Sequence, residues 1–295
     1  MTLTTVKLFV TAVIWGGTFI AGRMLGPECA PFTAAFLRFV AAGVVLLPYW
    51  LMTEGRPPKL DARTLLLVAG LGATGVFAYN AFFLWGLKSV PAGRAAIIVA
   101  GNPVFIALLS RMIFKEPLTR AKALGVALCL TGAAMVIGKG NPLGLFTGNL
   151  TMGDLAIMGA MFSWVAYSLL GKQVMGKLTP LAAVTLSCTA GMLMLLPPAI
   201  GEGLAVQAQR LSFSGWSAVV YLGVLGTAVG FLWFYQGIKT IGPSKAAVFI
   251  NFVPVSAAAM GAVMLGEPVD ASLLAGGALV LAGVALTNRP QARRG

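Results

Sequence analysis

Apolar stretches of about twenty residues recur along this chain, and that recurrence restricts its fold more than any other feature. Breaks of glycine, proline and charge bound segments at 5–25, 32–52, 64–88, 92–114, 118–138, 153–175, 180–200, 214–238, 243–265 and 270–288 of the 295 residues. A bilayer-spanning helix takes about 20 apolar residues, and ten such segments leave no room for a soluble domain. The expected fold is an all-α polytopic membrane protein with ten transmembrane helices. Composition agrees: 58% of residues are apolar and 10% charged, against about 25% charged in soluble proteins. So much apolar surface also excludes a disordered chain. The first segment carries Trp15 and two glycines in mid-span, lacks a run of cations before it and has no small-residue cleavage site. It is expected to be a retained helix rather than a secretory signal.

A formal charge of +13 raises the question of nucleic acid, which the distribution of cations answers. With the N-terminus on side A of the membrane, that side receives Lys7, Arg56, Lys59, Arg63, Arg111, Lys115, Arg120, Lys122, Lys172, Lys177, Lys239, Lys245, Arg289, Arg293 and Arg294. Side B receives Arg23, Lys88, Arg94, Lys139 and Arg210. The positive-inside rule makes side A the cytoplasm, with both termini there, and the charge becomes an orientation signal. The cations sit in short loops with no basic domain to form a groove, so no nucleic-acid partner is expected. There is no histidine, and Cys29, Cys129 and Cys188 are far apart. Neither a metal site nor a disulfide framework is indicated, and Cys129 and Cys188 read as packing residues. No cofactor is expected.

The chain also repeats itself. Shifted by 151 positions, Gly86-Leu-Lys88 falls on Gly237-Ile-Lys239, Pro103 on Pro254, Glu116-Pro117 on Glu267-Pro268, Gly125 on Gly276 and Gly132 on Gly283, with 15 identities over residues 86–138. Earlier in the chain a shift of 149 lays Trp15 on Trp164, Gly22 on Gly171, Pro31 on Pro180 and Pro48 on Pro197. Two units of five helices follow, 1–140 and 141–295. An odd helix number makes the second unit enter the membrane from the opposite side. Inverted repeats place a substrate site near the midplane at their interface and let access alternate, so the expectation is a transporter.

The Trp15-Gly16 pair of helix 1 and the Glu-Pro elements that close helices 4 and 9 resemble the EamA family of the drug/metabolite transporter superfamily. The resemblance covers the whole chain, and within the family it looks most similar to the bacterial YddG-type exporters of aromatic amino acids. It implies a central cavity lined by helices 1, 3, 4, 6, 8 and 9, with helices 5 and 10 peripheral, and export as the direction of transport. Val165 follows Trp164 where helix 1 has Gly16, so the Trp-Gly pair is not duplicated.

Candidate residues come from what is unusual inside these segments. Pro103 and Pro254 lie midway along helices 4 and 9, where a missing N–H and a displaced carbonyl kink the helix, and gating is expected there. Asn102 and Asn251 beside them either hold a polar substrate or repair the broken ladder, and the roles coexist. Helix 3 offers Tyr79, Asn80 and Phe83, helix 8 Trp233 and Gln236, helix 1 Trp15 and Thr18, and helix 6 Trp164, Tyr167 and Ser168. An aromatic lining suits an apolar or aromatic body and stacks on planar cations. Tyr49, Trp50, Trp85 and Trp216 stand near helix ends and read as interfacial anchors. Arg38, the one charge well inside a span, either snorkels toward side B or faces inward, where it would attract a carboxylate. Glu116 and Glu267 each precede a proline that fits a first helical position, and both read as structural caps. No carboxylate lies deep in any span.

The expected protein is an inner-membrane carrier of small metabolites, neutral and aromatic amino acids first, with lipophilic organic cations or drugs as the alternative. An enzyme is not expected, since no nucleophile has a plausible base. Membrane lipids are the other partner. Small residues on helices 5 and 10 (Gly125, Gly132, Gly276, Gly277, Gly283) mark close packing within the fold or a homodimer contact.

Overall fold

The computed structural model describes residues 3–55, 60–102, 105, 109, 120–141, 150–174, 177–241, 249–250 and 252–287. All regular structure among them is helical. Helices α1 (Leu3–Leu25), α2 (Pro31–Glu54), α3 (Ala62–Leu87), α4 (Ala92–Val99), α5 (Arg120–Ile137), α6 (Met152–Val174), α7 (Pro180–Gly201), α8 (213–241), α9 (Phe252–Leu265) and α10 (Ala271–Thr287) follow in order. Among the described residues, six helices (α1, α2, α3, α6, α7 and α8) have spans long and apolar enough to cross a bilayer, and shorter apolar helices cover 123–136, 252–265 and 271–283. The protein is thus an all-helical polytopic membrane protein. Pro103, Glu116 and Asn251 lie outside the described residues.

Helix ends sit where short polar side chains can satisfy the first free N–H groups. Asp61 caps α3 through Thr64 N at 2.9 Å, Thr179 caps α7 through Ala182 N at 3.1 Å, and Asp270 caps α10 through Leu273 N at 2.7 Å. Thr151 and Asp154 form a reciprocal capping box at α6: the Thr151 hydroxyl accepts from Asp154 N at 3.2 Å, and the Asp154 carboxylate accepts from Thr151 N at 2.9 Å. A two-turn helix, Leu204–Arg210, joins α7 to α8. Periodicity does not predict it.

Packing is pairwise. Helix α2 runs along α7, α5 along α10, and α4 against α9; α1 lies on α8 and α9, while α6 lies on α3 and α4. Helix α3 also touches α7, and α8 touches α2. A Cβ on Gly132 would come within 2.5 Å of the Gly276 carbonyl, and one on Gly276 within 2.6 Å of the Gly132 carbonyl. These two small residues therefore serve packing within the fold.

Two helices change winding in mid-span. Helix α3 is α-helical to Leu71, π-helical over Gly72–Ala78 and α-helical again from Tyr79. Helix α8 does the same, with π-helix over Tyr221–Val229. A π segment inserts a residue into the i→i+4 ladder and turns carbonyls toward other donors, and such segments are frequent at functional sites. Sequence reading expected the irregular backbone at the prolines of helices 4 and 9; these π segments contain no proline and were not anticipated. Pro254 lies buried within α9, Phe252–Leu265.

Of the four expected anchors, Tyr49, Trp85 and Trp216 are exposed. Trp50 is buried instead, in a cluster with Val68, Leu71 and Tyr167. Its indole donates to Glu54 at 3.0 Å.

Candidate functional site: a central cavity

A cavity of about 90 Å³ opens between α1, α2, α3, α4, α6, α8 and α9, lined by Trp15, Thr18, Phe19, Arg38, Phe39, Gly75, Tyr79, Asn80, Phe83, Val99, Asn102, Trp164, Phe231, Ile250 and Val253. Its residues on α2 and beyond the start of α4 lie seven or more positions from Pro31 and Ala92, about 10 Å along the helix axes, so the cavity is inside the helix bundle rather than at its end. Eight of the residues anticipated from sequence meet there: Trp15, Thr18, Arg38, Tyr79, Asn80, Phe83, Asn102 and Trp164.

Six rings form a continuous wall. Phe19 meets Phe83 edge-on at 5.0 Å, Phe83 stacks on Tyr79 at 5.5 Å, and Tyr79 tilts against Trp164 at 5.3 Å. Phe231 then links Trp164 at 5.8 Å to Trp15 at 5.9 Å. The Trp15 indole is fixed as well, donating to the Gly226 carbonyl in the π segment of α8 at 3.0 Å. These rings come from four helices, and such contacts hold a preformed apolar surface.

The polar part is Arg38. Its side chain does not snorkel: the residue is 6% exposed, and its donors turn inward. Nε donates to Thr227 Oγ1 at 3.1 Å and Nη1 to Asn80 Oδ1 at 2.7 Å. Both acceptors are anchored in π segments. Asn80 Nδ2 donates to the Val76 carbonyl at 2.8 Å, and Thr227 Oγ1 donates to the Leu222 carbonyl, five residues back, at 3.0 Å. The two winding defects thus explain how an arginine is held at this depth with neutral partners. Charge in hydrocarbon is costly and marks functional sites. The acidic residues among the described ones, Glu28, Glu54, Asp61, Asp154, Glu202, Glu267 and Asp270, belong to helix ends or loops, and no carboxylate is among the residues that line the cavity beside Arg38.

Asn102 is 9% exposed, and its Oδ1 is buried with no hydrogen-bond partner. Leaving such a group unmet costs about 1–3 kcal/mol.

Other anticipated residues lie elsewhere. Trp233 and Gln236 stand at the side A end of α8, where Lys7 Nζ lies 5.8 Å from the Trp233 ring and donates to Gln236 Oε1 at 3.2 Å. Tyr167 is buried behind the wall, against Trp164 and Gly75. Ser168 donates to the Trp164 carbonyl, at 2.8 Å, within its own helix. Phe19, Phe39, Phe231 and Gly75 were not anticipated, since a phenylalanine in a span is indistinguishable from packing; the spacing of Phe231 from Phe234 and Tyr235, three and four residues, carries no signal of which face meets the cavity.

On side B a wider vestibule of about 480 Å³ lies over α4, α6, α9 and α10. Arg94 makes a two-pronged contact with Asp154, Nε–Oδ1 at 2.8 Å and Nη2–Oδ2 at 2.6 Å, and Asp154 is fully buried. Glu267 is a cap, though of α4 rather than of the helix after Pro268: it accepts from Ala92 N at 2.8 Å and from Arg23 Nε at 3.1 Å. Arg23 also donates to the Leu87 carbonyl at 3.0 Å, so one node ties α1, the end of α3, the start of α4 and the α9–α10 turn.

The sequence model of the EamA-like transporter family matches residues 3–138 and again 151–289. The chain belongs to the EamA-like transporter family. Among curated relatives, the uncharacterized transporter YyaM of Bacillus subtilis is 29% identical over 95% of this chain and 91% of its own length. A probable terminal-alkyne amino-acid exporter of Streptantibioticus cattleyicolor is 30% identical over 96% and 92%, and the uncharacterized inner membrane transporter YedA of Escherichia coli K12 is 29% identical over 95% and 89%. A solved crystal structure covering 97% of both chains superposes with a TM-score of 0.62 at 22% identity, a likeness of fold. The EamA-type chain described here is a membrane transporter of small molecules.

Proposed function

We propose that this transporter exports neutral and aromatic amino acids across the bacterial inner membrane, by alternating access between two inverted five-helix repeats, 1–140 and 141–295, with both termini cytoplasmic. The observation that carries the substrate class is the meeting of one buried cation, Arg38, with a six-ring aromatic wall in one cavity inside the helix bundle. A carboxylate pairs with the guanidinium while an apolar or aromatic body lies on the rings. The amino-acid exporter among the relatives is consistent with this reading. Lipophilic cations fit less well, because Arg38 repels them and no carboxylate is among the residues that line the cavity. At about 90 Å³ the cavity holds about three waters, less than the ~300 Å³ lower bound of ordinary ligand sites. Transport therefore includes a widening of the wall, for which the non-α winding of α3 and α8 supplies the give.

The inverted architecture is supported by the two close-contact sets of the π-bearing helices. Gly75 abuts Tyr167 as Gly226 abuts Thr18, and Gly72 abuts Ala190 and Gly191 as Gly223 abuts Ala41 and Ala42. Each set becomes the other under the shifts of 151 and 149 seen in sequence. The two matches of the family model, and the pairing of α2 with α7 and α5 with α10, fit the same symmetry.

The test is counterflow in proteoliposomes. Vesicles preloaded with phenylalanine should accumulate labelled phenylalanine above equilibrium, and those preloaded with an organic cation such as tetraphenylphosphonium should not accumulate that cation. Cation counterflow without amino-acid counterflow contradicts the proposal.

A further inference from the structure

The Arg38 and aromatic contacts account for a carboxylate and a side chain, and leave a buried amide oxygen beside the cavity unused. Asn102 lines the cavity, and its Oδ1 is buried just behind the cavity surface and accepts nothing. Arg38 does not serve it, for the described bonds of the guanidinium run to Thr227 and Asn80. The Asn80 amide is committed to Val76 and Arg38, and Thr18 Oγ1 donates to the Trp15 carbonyl at 2.6 Å. A buried acceptor without a protein partner is a place for a donor brought by the ligand as the cavity widens.

We infer that Asn102 receives the ammonium group of the cargo while Arg38 receives its carboxylate, so that the cavity reads both ends of an α-amino-acid zwitterion. This rests on the amino-acid reading above and narrows it: cargo must carry a free amine and a free carboxylate on neighbouring atoms. The charge balance is self-consistent. The carboxylate neutralises Arg38, and the ammonium is left with a neutral amide and the faces of Tyr79, Trp164 and Phe231, a cation–π environment. A carboxylate at position 102 would hold the amine more tightly, but it would also pair with Arg38 in the empty carrier and close the site. The amide accepts the amine without competing for the arginine. Neither polar residue has a counterpart in the other half: the shift that superposes the halves puts Ser187 at the place of Arg38 and Val253 at that of Asn102. The cargo therefore binds in one orientation, polar end toward α2 and α4, although the aromatic scaffold around it is twofold.

The experiment uses the full-length chain in proteoliposomes preloaded with phenylalanine, presented with labelled phenylalanine, 3-phenylpropionate, phenethylamine and N-acetylphenylalanine. Wild type should exchange phenylalanine at least tenfold faster than each analogue. Asn102→Leu should raise the KM for phenylalanine about tenfold and bring phenylalanine and 3-phenylpropionate to within about threefold of one another; Arg38→Met should do the same for phenylalanine against phenethylamine. The wild-type panel needs no variant to fold. If wild type exchanges phenylalanine and 3-phenylpropionate or N-acetylphenylalanine equally well, the zwitterion inference is overturned while amino-acid transport stands. Retention of wild-type discrimination by Asn102→Leu overturns it too. Exchange of no amino acid defeats both readings.

Discussion

Single residues show how little space this interior leaves. A Cβ on Gly75 would meet the Tyr167 ring at 2.2 Å, whereas one on Gly43 finds nothing within 4 Å. Overpacking of this kind costs about 1–3 kcal/mol. Gly75→Ala should therefore lower the melting temperature in detergent by several degrees and Gly43→Ala should leave it unchanged or raise it; equal effects would contradict the packing. Gly16 explains the Trp-Gly pair in the same way, since its Cβ would collide with Ser256 of α9. Trp15 and Trp164 were legible as cavity residues from their depth. Replacing either with alanine should cut counterflow several-fold with expression retained, and normal flux in both would remove the aromatic wall from the mechanism. Cys29, between α1 and α2, is buried, and burial first, then Glu202, push its thiol up to about 12. It should resist maleimide at pH 8 in folded protein and react on unfolding; rapid labelling of the native state would contradict its burial.

At the scale of elements, the caps and side B node make their own predictions. Asp270 is held below the usual carboxylate range first by the Ser272 hydroxyl and then by Leu273 N–H. A carboxyl with a depressed folded pKa contributes stability above its unfolded value of about 3.9, and that contribution is lost as pH falls through the folded value. Amide protection at Leu273 should hold from pH 7 to about 4 and fall only below that; loss near pH 6 would show the cap is not carboxylate-borne. Glu267→Gln weakens both the α4 cap and the Arg23 pair, and should cost about 1–2 kcal/mol of thermal stability without altering which substrates are carried. A change in selectivity with stability intact would assign Glu267 to the transport path. Most helix spans were legible to within two or three residues, because apolar length against bilayer thickness is a strong constraint. The π segments were not, because the close contacts of Gly72, Gly75, Gly223 and Gly226 within them come from α7, α6, α2 and α1, and nothing in the local sequence records those distant partners.

For the whole molecule, orientation and duplication are the testable quantities. The cation bias predicts that a fluorescent protein fused after residue 295 folds and fluoresces on the cytoplasmic side, and that a periplasm-dependent phosphatase fused there is inactive; the reverse would invert the proposed topology. Apolar length, the side-to-side distribution of Lys and Arg and the internal register were all readable from the chain, because each is a property of residues summed along one dimension. Fold class and membrane residence follow from them, and the family follows from the motifs that resemble it and the match over residues 3–138 and 151–289. Which way Arg38 faces was not readable: its distance from the helix end permits snorkelling, and only Asn80 and Thr227, 42 and 189 positions away, turn it inward. The same holds for Glu267, which caps a helix 175 positions back, and for the unsatisfied oxygen of Asn102. A buried polar group is defined by its partners, and partners drawn from distant helices exist only once the helices have packed.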